Sequence, residues 1–410
     1  MEISEQKFKL TCRKPNTLSL LLLYSMPNTI IVLFSPCTLS IGKFYNVSTT
    51  SLYYLSILPM VGFALGAIIS PLFSMRYGKK GSLILGNSIA IISVIGYMLS
   101  TYIIVSYDLL LIFRLLSVFG ASIAVISVPA IINEYYHDFY ARKMMFLISA
   151  IFCLWPGIVM GISGLITDHL GWQYTELFLL LYSIITYIMM LQLPETQAVF
   201  IKKKNILKPY FSNIGKIFNN SQFILFTLIG SIMGVTLYYF ISETPFIALH
   251  YMGLSSTSYG YFSLIPYLAC TAALLLGNIF ASKLNFKRAV KIGIFGSLPC
   301  AILMLILFES GYSNIFSVFI LSAILLASLS PSFGYGFAKA VAIADEKALG
   351  TSLFIFIYMI FSSAVPFVTK NFTGLLGINV YPITLIILVV ILIILFFIYC
   401  TKNKNAQTLD

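Results

Sequence analysis

The sequence predicts an all-α membrane protein of twelve transmembrane helices in two six-helix bundles, and three observations carry that prediction. Hydrophobic residues fill 59% of the 410 positions and charged residues only 9%, too few charges to keep a soluble surface dispersed. Apolar runs of about 20 residues, the length a helix rising 1.5 Å per residue needs to cross the hydrocarbon, follow one another along nearly the whole chain. The basic residues gather on one side of those runs. Long runs at even spacing exclude a transmembrane barrel, whose strands are short and alternate in polarity.

The spans are expected at 17–41, 52–74, 82–104, 107–132, 144–167, 173–193, 222–246, 257–282, 289–308, 313–338, 350–370 and 378–400. The first begins after Arg13 and Lys14 and lacks a small-residue cleavage site, so it is expected to stay as an anchor. Pro27, Asn28 and Thr29 fall half-way along it. The second carries small residues on its face and stops at Arg76-Tyr77-Gly78-Lys79-Lys80, after which the third begins at once. Gly78 permits a positive φ, so two antiparallel helices can reverse there, and the three cations anchor the turn at the membrane surface. The fourth span holds Arg114, and the fifth holds Pro156, Gly157, Gly161 and Gly164, small residues that let helices approach closely. Glu176 stands near the start of the sixth, where a solvated or cap-like role is expected. The seventh carries Tyr238, Tyr239 and Glu243 ahead of Pro245, which removes a helical donor and is expected to kink the helix. The eighth and ninth are joined by a short basic turn at 282–290, which echoes the one between the second and third.

These spans divide the chain into an N-terminal bundle at 1–193, a basic linker at 194–222 and a C-terminal bundle at 223–410. The linker carries Lys202, Lys203, Lys204, Lys208 and Lys216, which suit either a solvated connector or contact with anionic lipid headgroups. A net charge of +12 does not here imply nucleic acid. Of 25 Lys and Arg, only Lys43 and Lys370 fall in segments on the far side and Arg114 falls inside a span, so the positive-inside rule puts both termini in the cytoplasm. The six cysteines are scattered without metal-ligand spacing, and no cofactor is implied.

The stretch "GAIISPLFSMRYGKK" resembles the motif between the second and third helices of the major facilitator superfamily, with Arg76, Gly78, Lys79 and Lys80 at its basic and glycine positions and Met75 where that family has Asp. "RLLSVFGAS", "AIINEYYHDFYARK", "GLITDHLGWQY", "LPET" and "ISETPF" are similar, in order and spacing, to segments of its bicyclomycin-resistance type of drug:proton antiporters. They keep Arg114, Gly120, Glu134 and Arg142, but have Ser117 for a Gln. Val32 occupies the expected acidic position of the first span and Met160 that of a second proline in the fifth. The resemblance covers about residues 20 to 370 and implies the family's fold of two bundles. It also implies a latch at the inner gate formed by the 76–80 turn with Glu134 and Arg142, and an antiporter-like fifth span.

Charges inside the membrane are the best pointers to transport, since each costs ~2.5–3.5 kcal/mol even on the lenient insertion scale. Arg114 reads either as a substrate-anion or switch residue or as a donor to neighbouring carbonyls, and Glu243 either as a proton carrier with Arg114 as its electrostatic partner or as an interfacial carboxylate. Asn28, Tyr238 and Tyr239 are candidates for the cavity wall. A serine protease would need a histidine beside Ser163 of "GISG", yet His137, His169 and His250 all fall at span ends or in loops. The reading is therefore a monomeric secondary transporter, not an enzyme, in the cytoplasmic (inner) membrane. It exports a drug or small amphiphilic molecule against protons, in contact with membrane lipids and without metal. Alternatives are a facilitator or a metabolite or siderophore transporter without proton antiport, a receptor, or the protease.

Overall fold

The computed structural model describes residues 14–196, 207–279 and 284–407, and every regular element among them is helical. The α-helices of eight residues or more are α1 (Thr17–Val32), α2 (Thr38–Tyr45), α3 (Tyr54–Tyr102), α4 (Tyr107–Tyr135), α5 (Asp138–His169), α6 (Gln173–Leu191), α7 (Leu207–Phe218), α8 (Ser221–Pro245), α9 (Ser256–Ile279), α10 (Phe286–Glu309), α11 (Leu321–Ile343), α12 (Lys347–Thr369) and α13 (Val380–Gln407). Ten helical runs among the described residues are long and apolar enough to cross a membrane. Large side chains such as Phe295, Ile92 and Phe397 stand exposed along them, as a surface solvated by lipid allows and one solvated by water does not.

The first three expected spans differ from what forms. The second and third are joined in one helical run, 49–102, which turns at Gly78 with φ 76° and ψ 174°, the positive φ the basic turn requires. The first, expected at 17–41, stops at Val32 and resumes at Thr38. Pro36 has no N–H to continue the ladder, and the chain tightens into a turn in which Ser35 N–H reaches Val32 O at 3.0 Å and Thr38 Oγ1 reaches Ser35 O at 2.9 Å. After Pro245 the helix widens into a π-helical stretch, Phe246–Tyr251, rather than a simple kink.

The expected linker is also more structured than a connector. Leu207–Phe218 is an amphipathic helix whose Tyr210, Ile214 and Ile217 face the body of the protein, with Leu207, Phe211 and Phe218 outside. Tyr210 donates its hydroxyl to the carbonyl of Ile68. The Lys202–Lys204 cluster and Lys283 of the 282–290 turn lie outside the described residues.

The first half of the chain meets the second mainly where α5 lies along α9 and α3 along α12. Helices α3 and α4 pack so closely that a Cβ on Gly86 would come within 2.5 Å of the Gly120 carbonyl oxygen, so neither position has room for a side chain. One end of the molecule carries the 76–80 turn and α7. The other carries the break in α1, the start of α3 and the π-helical stretch after Pro245.

Candidate functional site

The helix prolines decide where polar groups meet. A proline inside a helix leaves the carbonyl four residues earlier without its usual donor, and in lipid that carbonyl must find another. Pro59 does this to Leu55, whose oxygen accepts from Arg114 Nε at 3.1 Å and Nη2 at 2.9 Å. Pro156 does it to Phe152, whose oxygen accepts from Asn28 Nδ2 at 3.3 Å. Pro245 does it to Ile241, whose oxygen accepts from Ser35 Oγ at 3.1 Å. Pro71 does it to Ala67, whose oxygen accepts from Ser352 Oγ at 2.5 Å.

Glu243 is buried, 2% exposed, at the end opposite the basic turn. Tyr53, from the other half of the chain, donates its hydroxyl to both carboxylate oxygens, 2.9 Å from Oε1 and 3.0 Å from Oε2, and its ring stacks on Phe246 with centroids 4.6 Å apart. Ser35 Oγ sits 2.9 Å from the Tyr259 hydroxyl, and Thr257 N–H donates to Asp168 Oδ2 at 2.7 Å. Lys370, expected in an outer loop, is buried instead: it donates to the Tyr54 hydroxyl at 2.6 Å and lies 3.8 Å from the centre of that ring. Each of these contacts joins the first half to the second, so the halves are clasped at this end.

Arg114 does not stand beside Glu243; no ion pair joins them among the described residues. Its guanidinium is fully buried against the carbonyls of Leu55 and Ile31 and over the Phe34 ring at 4.3 Å. The carbonyl of Ile31 meets it one residue from Val32, the expected acidic position. Charge enters from elsewhere: Glu176, expected to be solvated at a helix start, is fully buried and electrostatically coupled to Arg114. Its position is fixed by Thr101, which donates to Oε1 at 2.7 Å.

Half-way along the spans, Tyr238 donates to Asn28 Oδ1 at 2.6 Å, again across the halves, and its ring lies 5.8 Å from that of Tyr358. Tyr239 points away, as successive helical residues must, and its hydroxyl reaches Thr384 at 3.2 Å inside the second half. Trp155 donates to Thr29 Oγ1 at 2.9 Å. This central patch therefore offers an amide, a hydroxyl and aromatic faces.

At the basic end, Lys79 pairs with Glu134 Oε1, and Thr196 donates to Glu134 Oε2 at 2.6 Å. Glu195 accepts the backbone N–H groups of Lys79 and Lys80 at 3.3 and 3.1 Å, immediately after the Gly78 turn, where a helix start favours an anion. Lys80 Nζ reaches Leu191 O at 2.8 Å. Arg76 stacks on Tyr77, 5.4 Å from the ring centre, and Arg142 lies on an exposed face of α5.

In the fifth expected span, a Cβ on Gly164 would lie 2.2 Å from the Ser256 carbonyl oxygen and one on Gly157 2.9 Å from Tyr267 Cβ, whereas one on Gly161 would meet nothing closer than 3.8 Å. Ser163 donates to Leu33 O at 2.5 Å, a packing role in the broken first helix. Sequence reasoning missed Tyr53, Ser35, Ser352 and Glu195, and it assigned buried Glu176 to solvent. The spacing of each proline to its freed carbonyl marks the acceptors in the sequence, but nothing local names the distant donors.

A bundle of apolar helices with buried charges and polar contacts between its halves defines a polytopic membrane protein of the transporter kind. The chain belongs to the Major Facilitator Superfamily, whose profile matches residues 17–366. It is 26% identical over 294 residues to an uncharacterized transporter of Rickettsia felis, covering 69% of each chain. It is 23% identical over 318 residues to the chloramphenicol resistance protein CraA of Acinetobacter baumannii, covering 75% of this chain and 72% of that one. Its fold is similar to that of a D-xylose-proton symporter, with a TM-score of 0.73 at 14% identity over 92% of this chain and 96% of the other.

Proposed function

We propose that this transporter is a proton-coupled exporter of a drug or small amphiphilic molecule, of the bicyclomycin-resistance type, working by alternating access between two six-helix bundles. In this reading the 49–102 run counts as two crossings and the broken first helix as one, which makes twelve. The basic end with both termini faces the cytoplasm, and the Lys79–Glu134–Glu195 cluster is the inner latch. The protein acts as a monomer in the cytoplasmic membrane.

One observation carries the proposal: the carboxyl group of Glu243 and the hydroxyl that holds it belong to opposite halves. While Glu243 is a carboxylate, Tyr53 gives it a charge-assisted bond and the far end stays closed. A proton taken up by Glu243 from the outside removes the charge and weakens the clasp after substrate has left, and the protonated carrier releases that proton to the cytoplasm on its return, which ties proton entry to export. The likeness to CraA supports a drug-like substrate. Asn28 and Tyr238, bonded across the halves, exchange their mutual bond for bonds to it.

The test is substrate-driven proton movement in proteoliposomes, followed with a pH dye, for chloramphenicol and a panel of cationic drugs, with wild type beside Glu243→Gln. Dye signals present in wild type and lost in the variant are expected. Substrate flux without proton movement, unchanged by the variant, would leave a facilitator.

A further inference from the structure

The Glu243 clasp leaves a second buried carboxyl unused. Glu176 and Arg114 are each 0% exposed, and each has one polar atom with no hydrogen-bond partner, Glu176 Oε2 and Arg114 Nη1. The two side chains are coupled through space yet stand too far apart to form an ion pair. Leaving buried polar atoms without partners is costly, and a proton on the Glu176 carboxylate removes the charge that makes its bare oxygen so costly.

A hydroxyl chain leads to the carboxylate. Tyr45, half-buried at the surface end of α2, lies 3.0 Å from Thr101 Oγ1 and 3.1 Å from the Ser100 carbonyl oxygen. Thr101 Oγ1 donates in turn to Glu176 Oε1 at 2.7 Å. The groups facing Glu176 are Arg114 from α4, Tyr97 and Tyr102 from α3, and Tyr45 from α2. They bring a single cation to bear on it.

We propose that Glu176 is a second proton-binding site, reached from the surface through Tyr45 and Thr101 and balanced by Arg114. A proton arriving along the hydroxyl chain binds the carboxylate and leaves it neutral, and its loss restores the Glu176–Arg114 attraction. The first half thereby holds an exchangeable acid even though Val32 occupies the expected acidic position of the first span. The purpose of the site rests on the proton-coupled reading above, but its test requires no substrate.

Trp172 sits at the start of α6, one turn before Glu176, in an aromatic group with Phe44 and Tyr45 at 5.3 and 6.2 Å. The chain has two tryptophans, so Trp155→Phe makes Trp172 the sole reporter. The full chain carrying this change, in lipid nanodiscs, is titrated with pH while Trp172 emission is read. A single step is expected that survives Glu243→Gln, disappears in Glu176→Gln, and moves by about one pH unit in Thr101→Val. Should Glu176→Gln fail to fold, the Thr101→Val midpoint decides alone. A step that persists without Glu176, an unmoved midpoint, or no step while the protein stays folded overturns the proposal and leaves Glu176 a structural carboxyl group. A titrating Glu176 without substrate-driven proton movement would instead sink the transport reading only.

Discussion

Ser352 supplies to Ala67, at 2.5 Å, the hydrogen bond that Pro71 withholds. The serine belongs to the second half of the chain and the proline to the first, so a local backbone defect in one becomes an anchoring point for the other. The same logic sets Ser35 on the carbonyl freed by Pro245. Arg114 on Leu55 and Asn28 on Phe152 repeat it within the first half.

Removing the serine hydroxyl leaves the Ala67 carbonyl buried without a donor, a loss of about 1–3 kcal/mol. Ser352→Ala should therefore lower the unfolding temperature of the purified protein. Pro71→Ala returns an N–H to the helix, so the double variant should recover most of the stability lost by Ser352→Ala. Thermal unfolding of the four proteins of this cycle measures it; strictly additive losses would show that Pro71 and Ser352 do not share the carbonyl.

Tyr53 and Glu243 are expected to behave as one unit in transport. Tyr53→Phe keeps the ring on Phe246 but removes the hydroxyl, leaving the carboxylate without its donor. Proton-driven export should fall at least tenfold in Tyr53→Phe and vanish in Glu243→Gln, and the double variant should be no worse than Glu243→Gln alone. Initial rates in proteoliposomes under an imposed proton gradient read this. A double variant much slower than Glu243→Gln would mean that Tyr53 acts elsewhere.

Much of the architecture was legible because the bilayer imposes a simple length rule on apolar runs. The basic turn at 76–80 was visible through Gly78, since only a positive φ lets the chain reverse so tightly, and that is the conformation found. Burial of Arg114 followed from its depth in the span, whereas that of Glu243, near the outer end of its span, was left open by the sequence. Their pairing did not form, because depth along a helix says nothing about the direction a side chain faces, and Arg114 turns toward Leu55 and Glu176. Glu176 was misjudged because its place near a helix start suggests solvent, whereas it is fully buried and takes a hydrogen bond from Thr101. The amphipathic helix Leu207–Phe218 was hidden by the lysines around it, which read as a plain connector.

Gly164 and Gly161 make a matched pair with opposite expectations. A methyl group at Gly164 would run into the Ser256 carbonyl oxygen, a backbone atom that cannot move unless α5 and α9 separate, while Gly161 has room. Gly164→Ala should cost about 1–3 kcal/mol and reduce transport severely, and Gly161→Ala should change stability by less than about 0.5 kcal/mol. Equal sensitivity of the two positions, in unfolding temperature and transport rate, would contradict a contact-based role.

The basic end supplies the last expectation. Glu134 is 38% exposed, so its pairing with Lys79 contributes only about 0.2–1 kcal/mol, and Glu134→Gln should scarcely change global stability. Glu195 acts differently, because its carboxylate takes two backbone N–H groups at the start of the helix that follows Gly78 and so ties the segment after α6 to the turn. Combining Glu134→Gln with Glu195→Gln should release that segment, since Thr196 also loses its charged acceptor. Trypsin cleavage within residues 194–222 reads the release: the double variant should be cut several-fold faster than wild type at unchanged unfolding temperature. Each single variant should fall between, with Glu195→Gln nearer the double. Cleavage at the wild-type rate in all three would show that these carboxylates do not tether the segment.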